Sequence, residues 1–154
     1  MHGTLICAVS DGTENEDAVA QAADVSERLG LRLVLAHVAD GISPNGNGGD
    51  ESVTMQADRR AAELLLEELA RDYDLGDIAE RRVAVGDPAT ILGRIASEEA
   101  ADVIVVGART RGWGRRGLES RIAQELETET PVPVLIAPPR ARRPRRLAQD
   151  LAQR

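Results

Sequence analysis

The chain has 154 residues, enough for one domain, and its 42% hydrophobic content suffices for a core. With no Phe, one Trp and one Tyr, that core must be aliphatic, which suits helices packed on a parallel sheet. All 19 basic residues are Arg, which excludes a Walker-A phosphate loop and a two-component receiver domain, both of which need a Lys; the net charge of −7 is uneven, because Pro139 to Arg154 holds six Arg against one Asp, +5, leaving −12 on residues 1–138.

The chain opens with a short apolar run, Thr4 to Val9, predicted to be a strand. SDGTENED follows as turn chemistry and helix start, with Thr13 and Glu16 spaced as a capping box and Ala18, Ala22, Val25 and Leu29 at helical intervals. Gly30 stands where a C-terminal cap belongs. Leu31 to Asp40 is a second buried strand, and the Gly-, Asn- and Ser-rich segment after it is a surface loop rather than a domain linker, because the strand and helix pattern resumes.

A long helix is predicted from about Ser52 to Tyr73, with Ala62, Leu65, Leu66 and Leu69 inward. Arg81 to Val85 forms a third strand. Asp87 then caps a helix with Pro88 at its first position. Asp102 to Gly107 is the clearest buried strand; an Arg-rich loop, a helix with Ile122 and Leu126 inward, and a fifth strand from Val132 to Pro138 complete the pattern. Five strands alternating with four helices call for an open α/β parallel sheet with right-handed crossovers and helices on both faces. Ligands in such sheets lie beyond the carboxyl ends of the strands at the topological switch point, which points to the loops after strands one and four.

Strand one ending in AVSDGTENEDAV, the strand LVLAHVAD, the segment VGDPATIL, the strand ADVIVVGAR and the closing PVPVLIAP resemble the successive landmarks of universal stress proteins, in order, over roughly residues 3–138. The resemblance implies a Rossmann-like sheet of order 3-2-1-4-5, a role in the stress response, a homodimer paired through residues 132–137, and, in one branch of the family, ATP or AMP bound at the switch point. That branch carries three glycines and a hydroxyl residue from strand four into the next helix. Gapless counting sets Gly107 on the first glycine, Thr110 and Ser120 on the other two and Arg121 on the hydroxyl position, so the ATP motif is degenerate. Ser10 stands where the branch has an Asp, with Asp11 one position late. The candidate nucleotide-binding residues by resemblance are Ser10, Asp11, Val38, Gly107, Arg109, Thr110, Gly112, Ser120, Arg121 and Ile122.

The Arg-rich loop has two readings, a solvated or interface salt-bridge cluster and an anion or nucleotide site, since Arg binds phosphate bidentately. Trp113 in that loop either stacks on a base or sits in a contact surface. The tail is either a disordered basic arm or, from Pro144, a short helix with Leu147 and Leu151 on one face; either form could contact an acidic partner. The expected division is a domain at 1–138 and a basic tail at 139–154.

His37 and Cys7 are expected to be structural, and the pairs Glu67–Glu68 and Glu98–Glu99 to be solvated helix faces. There is no GxSxG elbow and no His placed by sequence as a base, so no catalytic constellation is visible. No stretch reaches the roughly 18 apolar residues of a membrane span, and a single cysteine is compatible with a reducing compartment, so a cytoplasmic location is expected. The leading functional expectation is a ligand-binding or signalling protein that takes a nucleotide or another anion. The alternative is a dimeric interaction module whose nucleotide site has been lost.

Overall fold

Strand and helix alternate throughout the described part of the chain, which in the computed structural model comprises residues 3–9, 15–39, 51–76, 78–107 and 116–137. The elements are β1 (Thr4–Val9), α1 (Asn15–Leu29), β2 (Arg32–Ala39), α2 (Glu51–Asp72), β3 (Ala79–Val85), α3 (Pro88–Glu98), β4 (Val103–Gly107), α4 (Arg116–Glu129) and β5 (Val134–Ala137). All strand pairs are parallel, in the order β3-β2-β1-β4-β5. This is the α/β architecture expected from the pattern.

The strands read as continuous apolar runs because both sheet faces are covered. Leu5, Cys7, Val9, Leu33, Leu35 and Val105 turn to one face, where they meet Ala18, Val19 and Ala22 of α1 and Leu66, Leu69 and Ala70 of α2. The alternate residues Ile6, Val34, Ala36, Ile104 and Val106 turn to the other and meet Ala89, Leu92, Ile95 and Ala96 of α3 and Leu126 of α4. Cys7 lies in the first of these layers with no solvent exposure. Burial pushes its thiol up to about 12, so it stays protonated and inert.

Local signals set the element ends. Gly30 adopts φ 64°, and Leu31 N–H closes the end of α1 by donating to Ser26 O at 2.8 Å. Asp87 caps α3, its carboxylate accepting from Thr90 N at 3.1 Å and Thr90 Oγ1 at 2.8 Å, with Pro88 next. The side chains of the Thr13–Glu16 capping box and the whole tail from Pro138 lie outside the described residues. Two strands start two residues away from the expected position, and the other differences are of one residue. β3 begins at Ala79, because Ala79 and Glu80 pair with Leu33 and Val34. β5 begins at Val134, because Pro133 has no N–H and contributes only its carbonyl, which accepts from Ile104 N.

The amino ends of the strands are fastened by side chains. Asp102 accepts from the Thr4 N–H at 2.8 Å, and a Cβ on Gly3 would run into that carboxylate and into Leu31 Cδ2 at 2.8 Å. Beside it, Arg32 donates to Glu80 at 2.8 Å and Glu99 at 2.6 Å, and Arg82 donates to Glu98 at 2.7 Å and Glu99 at 3.1 Å. Glu99 is therefore no solvated helix face: its side chain is 16% exposed and shared by two arginines from neighbouring strands. The sequence shows the adjacency of Glu98 and Glu99 but not the strands that α3 crosses. The Arg32 hydrogen bond, helped by that of Arg82 and opposed by burial, holds the Glu99 carboxyl below the usual carboxylate range.

Candidate functional site

The chain reverses its winding between β1 and β4, which are neighbours although five elements, two of them strands, separate them in sequence. Their pairing runs from Leu5 with Val103 to Ala8 with Val106; Val9 continues on the β2 side only, and Gly107 on the β5 side only. The two strand ends therefore part company at the place where an open α/β sheet receives its ligand.

Half-buried apolar side chains gather on the α3/α4 face at this end. Ala8 at the end of β1, Val38 at the end of β2, Ala84 at the end of β3, Ile91 in the first turn of α3 and Ile122 of α4 are all half-buried and packed on the fully buried layer beneath. Apolar residues of intermediate exposure at one end of a sheet make a surface that a flat, weakly polar group can cover. Gly107, also half-buried, borders it and adds no side chain. At the rim, Gly86 takes φ 146° and donates its N–H to Ala39 O at 3.0 Å, tying the carboxyl ends of β2 and β3 together.

Of the ten residues picked out in the sequence, Val38, Gly107 and Ile122 fall at this end of the sheet. Ser120 and Arg121 lie on the backbone of α4, whose first residue is Arg116, so they belong to its second turn; their side chains are outside the described set. Ser10, Asp11, Arg109, Thr110 and Gly112 are outside the described residues altogether, as is Trp113. The α4 amides without an intrahelical acceptor are those of its first turn, Arg116 to Glu119. Sequence reasoning missed Ala8, Ala84 and Ile91; the signal was the two-residue alternation, which sets Ala8, Val38 and Ala84 on one face at the strand ends.

The buried polar side chain nearest this end is His37, 3% exposed, with Nδ1 2.6 Å from Val9 O. Among the described residues, no group of three or more His, Cys, Asp and Glu side chains could hold a metal ion, and no helix is long and apolar enough to cross a membrane. A polar groove of about 480 Å³ lies elsewhere, between α2 and the edge strand β3, with Arg59, Arg60, Glu67 and Arg81 in its walls. It is two strands away from the switch point.

The Universal stress protein family profile matches residues 1–138. No curated protein matches the chain. Among solved structures, a universal stress family protein from Burkholderia pseudomallei is similar at 25% identity and a TM-score of 0.68, covering 88% of this chain and 96% of that one. A universal stress protein in complex with cAMP is similar at 21% identity and a TM-score of 0.65, over 88% and 96% of the two chains. One from Archaeoglobus fulgidus in complex with dAMP is similar at 17% identity and a TM-score of 0.58, over 88% and 97%.

Proposed function

Because the chain belongs to the universal stress protein family, we propose that it is a stress-response binding protein that takes an adenine nucleotide, AMP or ATP, or a similar anion, weakly, at the carboxyl ends of β1 and β4. The observation that carries this reading is the half-buried apolar floor of Ala8, Val38, Ala84, Ile91 and Ile122 beside Gly107, at the one place where the winding reverses. Two similar folds are known in complex with cAMP and dAMP, which supports an adenine-type ligand. Val38 and Ile122 would lie against the base, and Gly107 would let it approach the backbone. Ser10 and Asp11 would meet the sugar side, and Arg109 with Arg121 and the amides near Thr110, Gly112 and Ser120 would meet phosphate.

Weak binding follows from side chains at Thr110 and Ser120 where glycine would give phosphate its closest approach. Calorimetric titration with AMP and ATP tests this. The expected Kd exceeds about 1 μM, a binding free energy weaker than about −8 kcal/mol. Sub-micromolar ATP binding overturns the weak-site reading, and no binding at millimolar AMP or ATP overturns the nucleotide reading. Combining Thr110→Gly, Ser120→Gly and Arg121→Ser is expected to tighten ATP binding by about tenfold.

The same reading includes a cytoplasmic homodimer joined along residues 132–137. Its support is Leu135 and Ile136, 42% and 47% exposed on an edge strand without charges. A light-scattering mass of one 16.5 kDa chain at micromolar concentration would contradict the dimer. The second reading, a dimeric interaction module with its nucleotide site lost and its arginines turned to an acidic partner, rests on the two missing glycines and is what an absence of nucleotide binding by a stable dimer would favour.

A further inference from the structure

β3 and β5 are the two edges of the sheet, and they differ in kind. The edge of β5 is apolar, whereas β3 carries Glu80, Arg81 and Arg82. The main-chain groups of β3 fall on alternate sides. Gly86 N–H donates to Ala39 O inside the sheet, while Ala79 N–H turns away from β2 to Leu75 O. Every second residue of a parallel strand addresses the same neighbour. Arg81 and Val83 therefore turn their N–H and C=O groups to the outer side, where no described strand lies. The same two residues form the strand wall of the groove of about 480 Å³ beneath α2.

Charge and apolar surface alternate along this groove. Arg81 stands at one end, 3.7 Å from Glu67. Leu64, 51% exposed, and the half-buried Val83 line the middle. Arg59 and Arg60 precede Glu67 by two turns of α2, about 11 Å along its axis. Both are exposed, and among the described residues neither is ion-paired with a carboxylate, Glu63 of the same wall included. We propose that the groove takes an extended acidic segment of a partner protein. Its main chain pairs with the outer edge of β3, an apolar side chain meets Leu64 and Val83, and carboxylates meet Arg81 at one end and Arg59 or Arg60 at the other. Charges on an edge strand repel indiscriminate pairing and admit a strand that answers them. The basic tail of this chain does not answer them, because its six arginines have the same sign. A second β3 brings two arginines against one glutamate, the wrong balance. The site is independent of the nucleotide reading above.

The probe is a fluorescein-labelled peptide of seven residues, the length of β3, with glutamate, valine and glutamate at alternate positions and threonine at the rest, so that it reads alike in both directions. Fluorescence anisotropy with the full chain is expected to show saturable binding with a Kd below about 1 mM. Lysine in place of both glutamates is expected to weaken it at least about tenfold, as is Arg59→Gln with Arg60→Gln, two exposed positions whose change leaves the fold intact. Two N-methylated forms of the peptide, one methylated at the threonines and the other at the remaining residues, test the main-chain pairing, because only one set of N–H groups can face β3. One form is expected to lose about tenfold and the other to bind as the parent peptide does. Absence of binding at millimolar peptide, equal affinity of the two methylated forms, or unchanged affinity in the double variant overturns the proposal. Displacement of the peptide by millimolar succinate at constant ionic strength also overturns it, in favour of a site for small dicarboxylates.

Discussion

The two ends of the sheet are built from opposite materials. At the amino end, β1, β2, β3 and α3 are joined by charge: Asp102 holds the Thr4 amide, and Arg32 and Arg82 between them engage Glu80, Glu98 and Glu99. At the carboxyl end the face turned to α3 and α4 carries the half-buried apolar side chains Ala8, Val38, Ala84, Ile91 and Ile122, and the polar Asp87 and Thr90 are paired with each other at the start of α3. An end whose polar groups are already paired has no capacity left for a ligand. An end that leaves apolar surface uncovered keeps free energy in reserve for one. The charged network that ties the strands together and the half-buried apolar surface thus lie at opposite ends of the sheet.

The largest expected effect comes from the tightest point of the amino end. Gly3→Ala forces a methyl group into Asp102 and breaks its bond to the Thr4 amide, leaving a buried donor unsatisfied; the expected loss is about 2 kcal/mol, or roughly 5 °C in melting temperature. A melting curve unchanged by this substitution would mean that the amino end is not the rigid one. Next comes Arg32→Met, expected to cost about 1 kcal/mol, because the pairs it loses are partly solvated.

The acid dependence sharpens that second test. Glu99 is held below its ordinary value of 4.5, so the folded protein takes up its proton less readily than the unfolded chain does. Its stabilising contribution is complete above that ordinary value and disappears as the pH falls through it toward the lowered one. Chemical denaturation between about pH 6 and pH 3 should therefore show a steeper loss in the parent than in Arg32→Met. Parallel curves would show that the network does not act through Glu99.

At the carboxyl end the order of effects is expected to reverse, with binding more sensitive than folding. Val38→Ala removes two methyl groups from a half-buried position, so stability should fall by less than about 1 kcal/mol while AMP affinity falls about threefold or more. The smallest effect on stability is expected from deleting Arg140 to Arg154. The described strands and helices all end by Ala137, so the melting temperature is expected to move by no more than about 2 °C. Retention on a heparin column should drop and lose its salt dependence, because six arginines leave with the segment. A large drop in stability on truncation would instead indicate that Leu147 and Leu151 pack on the domain or across the dimer.

Much of this was legible before any coordinates. The strand runs, Gly30 past the first helix and the Asp87–Pro88 start of α3 are local signals, because each reflects a backbone or capping requirement met within a few residues. The landmark segments were enough to order the strands by resemblance. Glu99 was misjudged from sequence because the partners of its carboxylate, Arg32 and Arg82, lie 67 and 17 residues away. His37 was taken as structural, and its contact with Val9, 28 residues distant, had no sequence signal.

The sequence by itself determined the alternation of strands and helices, the aliphatic character of the core, the caps, and the departures from the glycine motif at Thr110 and Ser120. These are properties of neighbouring residues, and periodicity and composition report them directly. Only the tertiary structure decided that Ala8, Val38, Ala84, Ile91 and Ile122 share one half-buried surface, that two arginines converge on Glu99, and that His37 reaches the end of β1. The reason is the parallel sheet itself: its crossovers bring together strand ends that are tens of residues apart, and which side chains then meet depends on register and on the helix laid across them.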